Sequence, residues 1–186
     1  MDTLSARAKL VERLADVRAA FVTLPGARTW GRCLVVYAAF VACALPIGFA
    51  AGLLKPGLAH LPPEMLAVLP SLLLLHPALV EEVIFRALLL PRDPARVSRR
   101  RLVAVSALAL AAFVAWHPVN AWLFRPAAAD LLANPAFLVC VALLGIACTV
   151  AYLISRSLWP PVLLHWITVA VWLILLGGLE LAGIRR

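Results

Sequence analysis

Residues His76 to Leu90 read HPALVEEVIFRALLL, and this stretch decides how the chain folds. Two adjacent glutamates, Glu81 and Glu82, and an arginine, Arg86, sit among aliphatic side chains. An ionised carboxylate in the hydrocarbon of a bilayer costs several kcal/mol unless paired or protonated, so such residues mark functional sites by default. The surroundings make this a membrane segment. Hydrophobic residues account for 65% of the 186 and charged residues for only 14%, far from soluble composition. Stretches of about 20 apolar residues recur, the length that crosses roughly 30 Å of hydrocarbon.

Working outward, the chain is expected to be an all-α, polytopic membrane protein with about five transmembrane helices. The expected spans are 34–54, 65–90, 103–123, 132–154 and 158–181, the second broken near Pro70 or Pro77, where the ring interrupts helical hydrogen bonding. Two short segments in place of that second span would make six and move the C-terminus across the membrane. Residues 1–29 form a separate basic segment ahead of a membrane domain over 30–184. Leu10, Leu14, Val17 and Phe21 recur at three- and four-residue spacing, which predicts an amphipathic helix on the membrane surface or a solvated helix.

Charge placement sets the orientation. Twelve Arg and Lys fall in the N-terminal segment, the Arg92–Arg101 connection and Arg156, against Lys55, Arg125, Arg185 and Arg186 on the other side. The basic side is therefore expected in the cytoplasm. There the net charge of +8 meets anionic lipid, and no nucleic-acid partner is needed to explain it. Fifteen arginines against two lysines suit a GC-rich genome, and so a bacterial inner membrane. Cys33, Cys43, Cys140 and Cys148 show no CxxC spacing and read as small packing residues.

On a helix, Glu82 and Arg86 are four apart, with the glutamate on the favourable N-terminal side. Glu81 lies about 100° around the axis and lacks that partner. Glu82 is thus expected to be an ionised support. Glu81, desolvated beside a like charge, is poised for general-base work near neutral pH. A salt-bridge cluster without chemistry is the competing reading. His117, in FVAWHPVN (113–120), and His165, in SLWPPVLLH (157–165), supply two further polar groups at membrane depth. At 1.5 Å per residue Glu81 is about 13 Å and His165 about 10 Å from the basic side. His117 joins them more easily if its helix begins in the cytosol around Ser98–Arg101.

The three motifs, EEVIFR (EExxxR), Phe113 to His117 (FxxxH) and SLWPPVLLH, together resemble the CPBP intramembrane proteases. These are the CAAX proteases and bacteriocin-processing enzymes, also called the ABI family. The likeness spans about 71–176. It implies a glutamate-type intramembrane peptidase in which Glu81 activates water, His117 helps hold that water and His165 stabilises the oxyanion. Glu82 and Arg86 would support the site, and Phe113 would pack it. The substrate would be a membrane-embedded or lipid-anchored peptide or protein, and no cofactor is implied.

One position departs from the family pattern. Asparagine or aspartate is usual four residues after the third-motif histidine, and here it is Val169, which cannot donate a hydrogen bond. Either Asn120, the preferred substitute, or Thr168 takes the role, or the oxyanion site is weaker. Two other readings stay open: a zinc protease with Glu81, His117 and His165 as ligands, though no HExxH spacing is present, and a non-catalytic protein of the same fold.

Overall fold

The computed structural model describes residues 3–183, and it is helical throughout. Arg185 and Arg186, counted above on the far side, lie outside the described residues. Helix α1 (Thr3–Val22) ends ahead of Pro25, and Gly26 starts α2 (Ala27–Ala50). An extended loop leads to α3 (Pro63–Leu73), then a kinked segment, Leu74–Leu79, and α4 (Val80–Glu82), which runs on through the wide turns of Val83–Leu88. Next comes α5 (Arg99–Phe124), begun by Ser98, whose hydroxyl accepts from the Arg101 N–H at 3.3 Å. This start among the arginines is the one that brings His117 to the depth of the glutamates. The short α6 (Ala129–Leu132) precedes α7 (Pro135–Ser155), where Asn134 accepts from two backbone N–H groups and Pro135 occupies the first turn. Helices α8 (Trp159–Leu175) and α9 (Gly178–Leu181) complete the chain.

Four helical stretches are long and apolar enough to cross a membrane: Ala27–Ala50, Pro63–Leu88, Arg99–Phe124 and Pro135–Ser155. Trp159–Leu175 is a shorter apolar helix. Large apolar side chains, including Leu34, Val35, Leu108, Trp122 and Phe124, face outward. A bundle that turns its apolar groups out is covered by lipid, so this is an integral membrane protein. The second span is broken, as expected, at Pro77 and not at Pro70: His76 has the extended angles φ −142°, ψ 120°, and the His76–Pro77 bond is cis. The fourth and fifth spans are shorter than anticipated because separate short helices, α6 and α9, take the residues at their ends.

Helix α7 is the axis of the bundle, packed against α2, α5 and α8. Small residues permit the close approach, as is usual where helices meet in lipid. Leu144, Ala147, Cys148 and Ala151 bury against Cys33 and Phe40 of α2 and Leu164 of α8. Two of the four cysteines are buried there as packing groups, and all four are free thiols.

The basic segments meet at one end of the bundle. Arg92 donates to Thr23 Oγ1 at 2.8 Å and to the Arg156 carbonyl at 3.1 Å, and Asp93 pairs with Arg156 at 3.0 Å. Helix α1 is docked there by its second half. Ala20 is fully buried among Tyr152, Leu158 and Val162, with Val17 and Phe21 beside it. The apolar stripe of α1 is therefore divided: Val17 and Phe21 pack on protein, while Leu10 and Leu14 stay exposed. At the opposite end the N–H groups of Lys55, Gly57 and Ala59 donate to the carbonyls of Leu176, Leu175 and Ile174, satisfying the otherwise unpaired end of α8.

Candidate active site

The wide turns after α4 and the first two turns of α8 bring Glu82, Arg86 and His165 into one buried cluster. All three are 2% exposed or less, and Glu81 only 5%. Glu82 bridges its two partners. Its Oε2 lies 3.1 Å from Arg86 Nε, the ion pair expected from the four-residue spacing, and its Oε1 accepts from His165 Nδ1 at 2.9 Å. The Arg86 contact is electrostatic rather than a well-aligned hydrogen bond, since neither atom meets hydrogen-bond geometry. Arg86 also donates to the Gly145 carbonyl at 3.2 Å and lies 4.3 Å above the Phe113 ring. A buried charge needs a partner of opposite sign, and the Glu82 carboxylate supplies it here.

Carboxylates only accept hydrogen bonds, so His165 Nδ1 carries a proton. Its other nitrogen, Nε2, points to Glu81 Oε2 at 4.0 Å. The two glutamates thus approach opposite sides of one imidazole ring. Glu81 Oε1 accepts from the indole N–H of Trp116 at 3.2 Å, while Oε2 accepts no hydrogen bond from the described residues.

Helix α5 completes the group. Phe113 is buried, with ring centroids 5.2 Å from His117 and 5.9 Å from His165, so both imidazoles flank one phenyl face or edge. His117 Nδ1 lies 2.9 Å from the Phe113 carbonyl, which makes Nδ1 the donor and leaves Nε2 as an acceptor in the neutral ring. Phe137 of α7 stacks edge-on against His117 at 5.8 Å.

A cavity of about 460 Å³ opens beside this cluster, lined by α2, α5, α7 and α8. His117, His165, Thr168 and Val169 border it, and so does Tyr37. Apart from these the walls are apolar, including Phe40, Leu144 and Trp172. Of the two candidates for the donor that Val169 lacks, Thr168 is at the cavity and Asn120 is not. Thr168 has one hydroxyl proton. The Leu164 carbonyl at 2.8 Å can only accept it, so the Tyr37 hydroxyl, at 3.2 Å, is the donor to Thr168.

Among the described residues no three His, Cys, Asp or Glu side chains gather as metal ligands do.

Three contributors escaped the sequence reading: Trp116, Gly145 and Tyr37. Trp116 adjoins His117 and brings an indole N–H to the depth of the glutamates. Gly145 is the lone glycine of its span. A Cβ there would lie 2.6 Å from Leu110 Cδ1 and 3.0 Å from Phe113 Cδ1.

The fold and cluster define a class: a polytopic helical membrane protein with a Glu–His–Arg centre enclosed by its helices. The family model for Rce1-like type II CAAX prenyl endopeptidases matches residues 62–171, from the loop before α3 into α8. The chain belongs to that family of membrane proteases. No match was found among curated proteins or among solved structures.

Proposed function

We propose that the protein is a glutamate-dependent intramembrane endopeptidase acting on a lipid-anchored or membrane-embedded peptide or protein. The observation that carries this reading is the position of Glu81 Oε2, which accepts no hydrogen bond from the described residues and lies 4.0 Å from His165 Nε2. Both atoms lie within reach of one water or one substrate oxygen.

The steps follow from the donors and acceptors. A water gives one hydrogen bond to Glu81 Oε2 and the other to His117 Nε2, which aims its lone pair at the scissile carbonyl carbon. Glu81 takes the proton as the C–O bond forms. His165, as imidazolium, donates from Nε2 to the developing oxyanion while Nδ1 stays on Glu82. The tetrahedral intermediate collapses, the C–N bond breaks, and the leaving amine takes the proton from Glu81. Glu82 and Arg86 act as positioning residues, and Phe113 sets the spacing of the two imidazoles. No cofactor takes part.

The apolar cavity suits the hydrocarbon portion of the substrate. The basic end of the bundle is assigned to the cytoplasm, in a bacterial inner membrane, with Leu10 and Leu14 of α1 resting on anionic lipid.

The test is hydrolysis of an internally quenched farnesylated CAAX peptide by the purified protein in phospholipid vesicles. Cleavage by the native chain and its loss in Glu81→Gln support the reading. Undiminished cleavage by Glu81→Gln would show that the glutamate is not the base. Activity abolished by chelation and restored by Zn²⁺ would establish the metalloprotease alternative.

A further inference from the structure

Glu81 receives one hydrogen bond among the described residues, from the indole N–H of Trp116 to Oε1 at 3.2 Å. The donor comes from α5, the helix that also brings Phe113 and His117 to the site. Trp116 packs with Phe85, Phe113 and Val141 and stacks obliquely on Phe124, so its ring is fixed by neighbours on α4's extension and α7. A rigid indole that holds one carboxylate oxygen makes the two oxygens of Glu81 inequivalent. Oε1 is occupied, and Oε2 alone faces His165.

We infer that Trp116 is a positioning residue of the proteolytic centre: its indole N–H holds the Glu81 carboxylate so that Oε2 is the oxygen that receives the proton from water. The inference rests on Glu81 being the general base. A hydrogen bond to the ionised carboxylate also favours that form over the protonated one. The charged and titratable groups around Glu81 are Glu82 and Arg86 on its own helix, His117 on α5 and His165 on α8. All remain in place when only the indole N–H is removed.

The experiment uses Trp116→Phe, which keeps an aromatic ring, and site-specific β-(3-benzothienyl)alanine at position 116, which keeps the indole shape with sulfur in place of N–H. Both are expected to lower kcat about 10- to 100-fold on the farnesylated peptide, the range set by one hydrogen bond to a charged group, with KM little changed. The acid limb of the pH–rate profile should move to higher pH, because a carboxylate that has lost a donor is less favoured in its ionised form. A second readout needs no turnover: the infrared carboxylate band of Glu81, identified by its absence in Glu81→Gln, should titrate at higher pH in both variants. An unshifted band and an unshifted acid limb in the benzothienyl protein overturn the role of Trp116, even if Trp116→Phe fails to fold. A shifted band in a protein whose Glu81→Gln variant still cleaves supports the Trp116 contact and overturns only the assignment of Glu81 as base.

Discussion

Glu82 Oε1 accepts a hydrogen bond from His165 Nδ1 at 2.9 Å, joining two buried residues 83 positions apart in sequence. This contact fixes which imidazole nitrogen faces Glu81. Glu82→Gln keeps the volume of the side chain but offers Arg86 no charge. Cleavage should fall at least 100-fold, since misdirecting Nε2 removes an oxyanion donor. Steady-state hydrolysis of the farnesylated peptide gives the number.

Arg86 is 1% exposed and neutralises Glu82. Arg86→Met fills similar space but leaves the buried Glu82 carboxylate with only His165 as a partner; losing one member of such a cluster costs up to about 3–5 kcal/mol. Thermal unfolding in detergent should show a large drop in midpoint, and Glu82→Gln combined with Arg86→Met should recover part of it.

Gly145 of α7 lies against Leu110 and Phe113 of α5, with no room for a Cβ. Gly145→Ala puts a methyl group 2.6 Å from Leu110 Cδ1, which must move, and 3.0 Å from Phe113 Cδ1, which flanks both imidazoles. Overpacking of this kind costs about 1–3 kcal/mol. Both stability and kcat should decline, and Leu110→Ala in the same chain should restore stability.

Val169 borders the cavity one turn beyond His165 and has no donor. If oxyanion stabilisation limits the rate, Val169→Asn should raise kcat, toward the roughly 100-fold that one such donor contributes elsewhere. Thr168→Val should change kcat little, because the Thr168 proton is held by the Leu164 carbonyl.

What the amino-acid sequence determined by itself was the part governed by local spacing and by transfer from water to lipid. Runs of apolar residues fix the membrane helices, and the interval from Glu82 to Arg86 fixes their ion pair. Pro70 and Pro77 could both be read as breaking points, because proline acts on its own backbone, whereas the expected third span, 103–123, missed the start of α5 at Arg99. The EExxxR and FxxxH patterns identified the family for the same reason, being periodicities within single helices.

Only the tertiary structure decided what converges across helices. Local spacing carries no sign that His165 would bond to Glu82, that Trp116 would reach Glu81, or that Asn120 would fall outside the cavity lining. Those outcomes depend on the depth and rotation of α5 and α8 about α7, which close packing at residues such as Gly145 sets. A helix's own spacing determines which side chains share a face, but what that face meets is determined by its neighbours.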